Sequence, residues 1–142
     1  MSDEAVIFSG LQIMNGNFRV PVGINSFTGD VAGKKGPCPG AFSVSVTGTI
    51  VDFSELTTPG YAMIRNLDPT NFIEYGAYDP ETDKFYPIGE ILPGEFYPIR
   101  FSRNLGWEYP TSGTGTSGPK TNNFMLRANA AACNASVEAN EV

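Results

Sequence analysis

Turn residues recur along this chain at intervals of about ten residues, and this spacing constrains the fold more than any other feature. The chain has 16 Gly and 11 Pro among its 142 residues. Because Pro interrupts helices and Gly weakens them, these turns leave little room for helices of ordinary length. The segments between the turns alternate apolar and polar residues, which is the period of a strand with one buried face. The pattern predicts an all-β chain.

The predicted strands are joined by recognisable turns. Asn15-Gly16, a dipeptide typical of tight hairpins, lies between the apolar segment Ala5–Met14 and the alternating segment Asn17–Val22. In Ala41–Phe53 the apolar phase shifts by one residue near Gly48, which predicts a β-bulge in one long strand. The other predicted strands are Tyr61–Asn66, Asn71–Tyr78, Phe85–Ile88, Glu95–Phe101 and Asn123–Asn129. Roughly eight such strands predict an antiparallel β-sandwich, jelly-roll or immunoglobulin-like, with long loops.

The length of the chain predicts one sandwich domain over residues 1–142. Residues 1–10 are interpreted as an N-terminal arm. The Gly-rich segment 23–40 is interpreted as a long loop, and the Gly/Ser/Thr tract 111–118 as a flexible one. The Ala/Asn-rich segment 128–142 is interpreted as a C-terminal arm or tail, either after a terminal strand or as a short helix.

The charge balance argues against two classes of partner. Nine Lys and Arg face fifteen Asp and Glu, for a net charge of −6, so nucleic acid is not expected as a partner. The apolar runs span only a few residues, so no membrane-spanning segment is expected. The acidic start of the chain lacks the pattern of a secretion signal, which favours synthesis and retention in a cytoplasm.

The residues with catalytic potential form no recognisable constellation. The chain has no His, which excludes histidine-based triads and Cys-His catalysis. Gly113–Thr121 resembles a phosphate-binding loop only superficially, because Pro119 separates Gly118 from the Lys. We expect no enzyme and no cofactor. Cys38 and Cys133 are interpreted as small buried or half-exposed thiols, although a disulfide between them stays open.

An acidic cluster provides the one hint of a metal site. Asp79, Glu81, Asp83 and Glu90 fall at ligand positions of a calcium loop, but Lys84 stands where that loop requires Gly. A carboxylate-lined β-turn is the preferred interpretation, and no metal site is predicted. A Ca²⁺ bound at the surface by this turn stays open.

Six residues are candidates for contacts with a partner protein. The aromatic candidates precede the flexible tract, and Tyr and Trp are enriched at protein interfaces. They serve equally well as a core plug at one end of a sandwich. The basic candidates either pair with carboxylates of a partner or solvate an edge strand. The six are Trp107, Tyr109, Arg100, Arg103, Lys34 and Lys35.

Three motifs lie between residues 61 and 101: Met63–Gly76, which contains Asn-Leu-Asp-Pro-Thr-Asn, Phe85–Ile88, and Leu92–Phe101, which contains Leu-Pro-Gly-Glu. Through these motifs the segment resembles small β-sandwich structural proteins of tailed bacteriophages. In the Asn-Leu-Asp turn, we expect Asp68 and Asn71 to bond nearby backbone amides.

The resemblance implies a non-enzymatic virion protein, made in the host cytoplasm. A capsid decoration (cement) protein that binds the major capsid protein is the first expectation, with a homo-oligomer, preferably a trimer. A head–tail connector, neck or tail accessory protein is the alternative within this class. A carbohydrate- or ligand-binding sandwich, using Tyr75, Tyr78, Tyr86 and Trp107, is an alternative from another class.

Overall fold

The computed structural model describes residues 5–21, 23–31, 33, 35–102, 105 and 123–142. These residues form antiparallel strands and no helix, which confirms the predicted all-β sandwich. The strands are β1 (Ala5–Ser9), β2 (Ile13–Asn15), β3 (Phe18–Val20), β4 (Asn25–Gly29), β5 (Cys38–Val44), β6 (Thr49–Ile50), β7 (Pro59–Asn66), β8 (Ile73–Asp79), β9 (Lys84–Ile91), β10 (Phe96–Arg100), β11 (Phe124–Ala128) and β12 (Cys133–Glu141).

Two four-stranded sheets form the sandwich. Sheet I has the order β10-β7-β12-β5, and sheet II has the order β6-β11-β8-β9. Only a few residues connect β5 to β6 and β9 to β10. The edge strands β5 and β6 therefore lie on one side of the sandwich, and the edge strands β9 and β10 lie on the other. The alternation in β7 shows the layering, because Ala62 and Ile64 are buried between the sheets while Met63 and Arg65 face outward.

Three phenylalanine rings pack against one another in the core. Phe101 lies edge-on to Phe53, with 5.0 Å between the ring centroids, and edge-on to Phe124 at 4.9 Å. All three rings are buried. Edge-to-face contacts of this kind add to the free energy of burial. The core therefore joins the two sheets through packed aromatic side chains as well as through aliphatic ones.

The predicted long strand over Ala41–Phe53 is two strands in different sheets. β5 ends at Val44, and β6 begins at Thr49 in the opposite sheet. A tight turn joins them, in which the Gly48 amide donates to the Ser45 carbonyl at 3.2 Å and Gly48 has φ +103°. The bulge prediction was wrong because a crossing between sheets also shifts the apolar phase by one residue.

The N-terminal part of the chain is only partly as predicted. β2 and β3 form the Asn15-Gly16 hairpin, and Gly16 takes φ +58°, as such a turn requires. The predicted loop over residues 23–40 contains β4, however, and also the start of β5. The predicted strand Ala5–Met14 is also two strands, and the first of them, β1, pairs with β4.

The C-terminal segment forms no arm or tail. β12 lies in the interior of sheet I between β7 and β5, and Ala135, Val137 and Ala139 are fully buried. The segment therefore belongs to the sandwich core: of the two alternatives it forms the terminal strand and not the helix, and no free tail follows within the described residues.

The two cysteines are free thiols. Cys38 lies opposite Ala139 and Cys133 lies opposite Val44, so the two are six residues apart along the β5–β12 ladder. That separation is about 20 Å, whereas a disulfide needs Cα atoms within about 7 Å. Of the two predicted placements, buried or half-exposed, both thiols take the buried one, and a disulfide between them is excluded in this fold.

Candidate binding surfaces

Two small ribbons stand outside the sandwich. We name the pairs β1–β4 and β2–β3 the N-terminal ribbons; each has two strands, and neither joins sheet I or sheet II. Two-stranded ribbons are marginally stable in water unless a further layer covers them. Within the described chain, the N-terminal ribbons are thus the part least stabilised by pairing with other strands.

The N-terminal ribbons and their connections expose many large apolar side chains. Of the sixteen large hydrophobic residues exposed in the described chain, eight lie between residues 6 and 27. Ile24 is 79% exposed and Phe8 is 65% exposed, which is unusual for side chains of this size. The eight are Val6, Phe8, Leu11, Ile13, Met14, Phe18, Ile24 and Phe27.

A cleft of about 860 Å³ lies between strand β1 and the outer face of sheet I. Pockets that bind ligands in proteins commonly measure about 300 to 1,000 Å³. The walls and floor are mainly apolar, and we call this space the ribbon cleft. Its principal lining side chains are Val6, Phe8, Met63, Phe96, Pro98 and Arg65.

Arg65 is the principal polar group in the ribbon cleft. Its guanidinium lies over the ring of Phe96, 5.4 Å from the centroid, and its Nε is 3.9 Å from a carboxylate oxygen of Glu138. That separation exceeds a hydrogen bond, and the buried Nε atom has no hydrogen-bond partner. A buried donor without an acceptor is costly, so this Nε atom carries an unmet hydrogen bond within the fold.

Of the six predicted contact residues, the structure describes two. Arg100 is exposed on β10, where it donates to the Tyr61 hydroxyl at 2.7 Å and lies 4.7 Å from the centroid of that ring. Lys35 is exposed at the rim of the ribbon cleft, and its carbonyl accepts from the Glu141 amide at 3.0 Å. The other four lie outside the described residues: Trp107, Tyr109, Arg103 and Lys34.

A second apolar surface covers the side of the sandwich where β9 and β10 form the sheet edges. We call it the side patch, and Ile88 is its most exposed member at 77%. Ile88 lies where the β8–β9 register shifts, so the bulge turns its side chain outward. The side patch consists of Tyr86, Ile88, Leu92 and Tyr97.

The sequence contains a repeated motif that marks the side patch. Phe-Tyr-Pro-Ile occurs twice, at 85–88 and 96–99. Pro87 and Pro98 lie within strands, and Pro is tolerated in a strand almost only at a sheet edge. The repeated tetrapeptide thus marks both edge strands, and its Tyr residues are half exposed there.

The acidic turn uses its carboxylates for internal hydrogen bonds. Asp79 accepts from the Thr82 hydroxyl at 2.6 Å and from the Glu81 amide at 3.0 Å. The bond from Thr82 is the main reason that the pKa of Asp79 lies below its ordinary value. Asp83 accepts from the Tyr78 hydroxyl at 2.7 Å. No group of three or more metal-ligating side chains occurs in the described part of the chain.

On the outer face of sheet II, one arginine is held by neighbouring side chains of the same sheet. Arg127 donates from Nη2 and Nε to one carboxylate oxygen of Glu74, at 2.6 and 3.0 Å. The same guanidinium lies over the ring of Phe85, 4.7 Å from its centroid. On this face the charge of Arg127 is therefore paired within the sheet.

The tyrosines proposed for sugar binding do not form one surface. Tyr75 packs against the core, and Tyr78 is held by Asp83, whereas Tyr86 is exposed on the side patch. Trp107 lies outside the described residues. A stacking platform for a sugar needs several exposed rings side by side, which these three tyrosines do not provide.

Comparisons with protein-family models, with curated proteins and with solved structures found no match for this chain. In the described residues, no helix is long and apolar enough to cross a membrane. The assignment of a function therefore depends on the two apolar surfaces and on the resemblance between residues 61 and 101.

Proposed function

We propose that this chain is a non-enzymatic structural protein of a tailed-phage virion, and that it decorates the capsid by binding the major capsid protein. The observation that carries the proposal is the pair of apolar surfaces outside a well-packed core. Such patches on a folded protein mark sites of protein contact. The resemblance between residues 61 and 101 supports the choice of the virion.

The side patch is the proposed contact with the shell. Its two tyrosines combine a large apolar area with a hydroxyl, a combination that is enriched at protein interfaces. Pro87 and Pro98 interrupt the amide edge of both strands, so docking by strand addition is disfavoured. Contact through side chains, on a rigid sandwich, is the mechanism that remains for this surface.

The first test is quantitative mass spectrometry of purified virions. Decoration predicts a number of copies close to that of the major capsid protein, or about one third of it if three capsid subunits share one decorating copy. A small fixed number of copies moves the protein to the neck or tail, which is the alternative proposal. Absence from the virion contradicts both.

A second test addresses the shell-binding surface. Ile88→Ser and Tyr97→Ser each weaken co-sedimentation with capsids assembled from the major capsid protein, by about tenfold if the side chain is buried on docking. Ile50→Ser is the matched control, because Ile50 is 37% exposed and lies at the opposite edge of the sandwich. Equal binding by all three variants contradicts the assignment of the side patch.

A further inference from the structure

We propose that Asn15 is a site of spontaneous deamidation, at which the backbone nitrogen of Gly16 displaces the side-chain amide of Asn15. The feature that carries the proposal is the turn of the β2–β3 hairpin, where this pair is exposed and held by few contacts. The inference concerns a covalent modification of the purified chain, so it does not depend on a role in the virion.

The reaction is a ring closure followed by hydrolysis. The Gly16 nitrogen loses its proton to hydroxide and attacks the side-chain carbonyl carbon of Asn15. A C–N bond forms, the bond from that carbon to Nδ2 breaks, and the released nitrogen takes up a proton and leaves as ammonia. Water then opens the succinimide ring at either carbonyl, which gives aspartate or isoaspartate. Because glycine has no Cβ atom, its nitrogen is the least hindered nucleophile that can follow an asparagine.

The turn leaves both reacting groups accessible. Asn15 and Gly16 are exposed, and a Cβ atom at Gly16 meets nothing within 4 Å. Within the described residues, the Gly16 amide makes no backbone hydrogen bond and the Asn15 side chain makes no hydrogen bond. By contrast, two carbonyls hold the amide of Asn66. The Asn15 side chain can therefore approach the next backbone nitrogen, as short polar side chains do in turns.

The hairpin also opens without unfolding of the sandwich. Ring closure rotates the Asn15 backbone out of its strand conformation, so the ladder beside the turn must open first. β2 and β3 pair over three residues each and join no other strand. A ribbon of this size is marginally stable in water, and its local opening costs far less than opening of a central strand. The reactive conformation is thus accessible in the native protein.

Asn134 provides a comparison within the same chain. It is also exposed, and the residue that follows it, Ala135, is small. Ala135 is fully buried in β12, where it pairs with Phe42 on one side and Asn66 on the other. Ring closure at Asn134 therefore requires sheet I to open. The fold separates these two exposed asparagines by the stability of the strand that each occupies.

The test compares the native full chain with the chain unfolded in guanidinium chloride, both incubated in mildly alkaline buffer. Peptide mapping by mass spectrometry counts aspartate and isoaspartate at each asparagine. At Asn15 we expect the native rate to lie within about tenfold of the unfolded rate, because the hairpin opens readily. At Asn134 the native rate is lower than the unfolded rate by about a thousandfold or more, because the sheet must open.

Two variants complete the design. Asn15→Gln removes the modification, because the longer side chain must close a larger ring, and circular dichroism checks that the variant keeps its strands. Asn134→Gln leaves the rate at Asn15 unchanged. A native rate at Asn15 that is reduced by the same factor as at Asn134 overturns the proposal. Conversion to aspartate without isoaspartate also overturns it, because direct hydrolysis of the side chain gives aspartate alone.

Discussion

At the scale of the residue, Asn66 shows how one buried polar side chain joins distant parts of the chain. Its amide group donates to the carbonyls of Asn71 at 2.8 Å and Ile91 at 3.0 Å, and its oxygen accepts from the Asp68 amide at 2.9 Å. Asn66 is 2% exposed. It therefore fixes the end of β7, the following turn and the end of β9 to one another.

We expect Asn66→Ala to lower the free energy of unfolding by about 3 kcal/mol, because it leaves buried backbone groups without partners. Urea denaturation measures the change. Asn129→Ala is the control, since Asn129 is exposed and the substitution should change stability by less than about 0.5 kcal/mol. Similar losses in both variants contradict the role given to the Asn66 side chain.

The hydrogen bonds of the turn after Asn66 are easier to predict from the sequence than those of Asn66 itself. Asp68 accepts from the amides of Thr70 at 2.8 Å and Asn71 at 2.7 Å, and its bonding to nearby amides was predicted. The predicted amide contact of Asn71 is not made; its side chain donates to Asp68 and Thr70 instead. No local pattern points to Asn66, because its partner Ile91 lies 25 residues away along the chain.

At the scale of the element, the β8–β9 pair depends on one glycine. Gly76 is buried opposite Pro87, where the register shifts. A Cβ atom at this position meets the backbone carbonyl of Tyr86 well inside contact distance. Backbone atoms in a paired strand cannot move aside as the end of a flexible side chain can. The close approach of these strands therefore requires glycine.

We expect Gly76→Ala to destabilise the protein by about 3 kcal/mol, through overpacking of the β8–β9 pair. Thermal unfolding and urea midpoints measure the loss. Gly23→Ala is the matched control, because a Cβ there meets nothing within 4 Å. That variant should be neutral or slightly stabilising. An unchanged midpoint for Gly76→Ala shows that the two strands separate easily at the bulge.

At the scale of the whole molecule, carboxyl groups hold turns and strand ends, and four of those in the described residues have a pKa that these bonds lower. In each, hydrogen bonds from nearby residues favour the ionised form, so the pKa lies below its ordinary value. Each bond ties a loop to its own backbone or to a neighbouring segment. The four are Asp52 bonded by Ser54, Asp68 by Asn71 and Thr70, Asp79 by Thr82, and Glu141 by Thr57.

Because these four pKa values are lowered on folding, the unfolded chain binds more protons in acid. Their contribution to stability is complete above about pH 5 and is lost as the pH falls below about 4. We expect the urea midpoint to decrease steadily between these values and further below them. The combined variant Asp68→Asn with Glu141→Gln should flatten this dependence. A midpoint independent of pH over the same range contradicts the assignment.

The two buried thiols report on opening of the sandwich. Burial is the main cause that raises the pKa of both Cys38 and Cys133 above the ordinary value. The reactive form is the thiolate, so we expect native protein to resist a thiol reagent at pH 8 and unfolded protein to react at once. Rapid labelling of the native protein contradicts their burial.

The free energy of unfolding should also decrease above about pH 8.5, where the unfolded chain releases the protons of these two thiols first.

The sequence by itself determined the fold class, most of the strands and the turns between them. Alternation with a period of two, and Gly, Pro and Asn at turns, act over neighbouring residues, so they can be read locally. The Asn15-Gly16 hairpin and the strand around Ile64 are examples of this local information. The resemblance to phage structural proteins also depends on local motifs.

Only the tertiary structure decided which segments lie together. β1 pairs with β4 across the β2–β3 hairpin, and β12 enters the middle of sheet I, although its composition resembled that of a tail. The ribbon cleft brings together Val6, Arg65 and Phe96, which are far apart in sequence. Such contacts arise from the burial of apolar area between distant segments, a property of the whole packing arrangement that no local pattern contains.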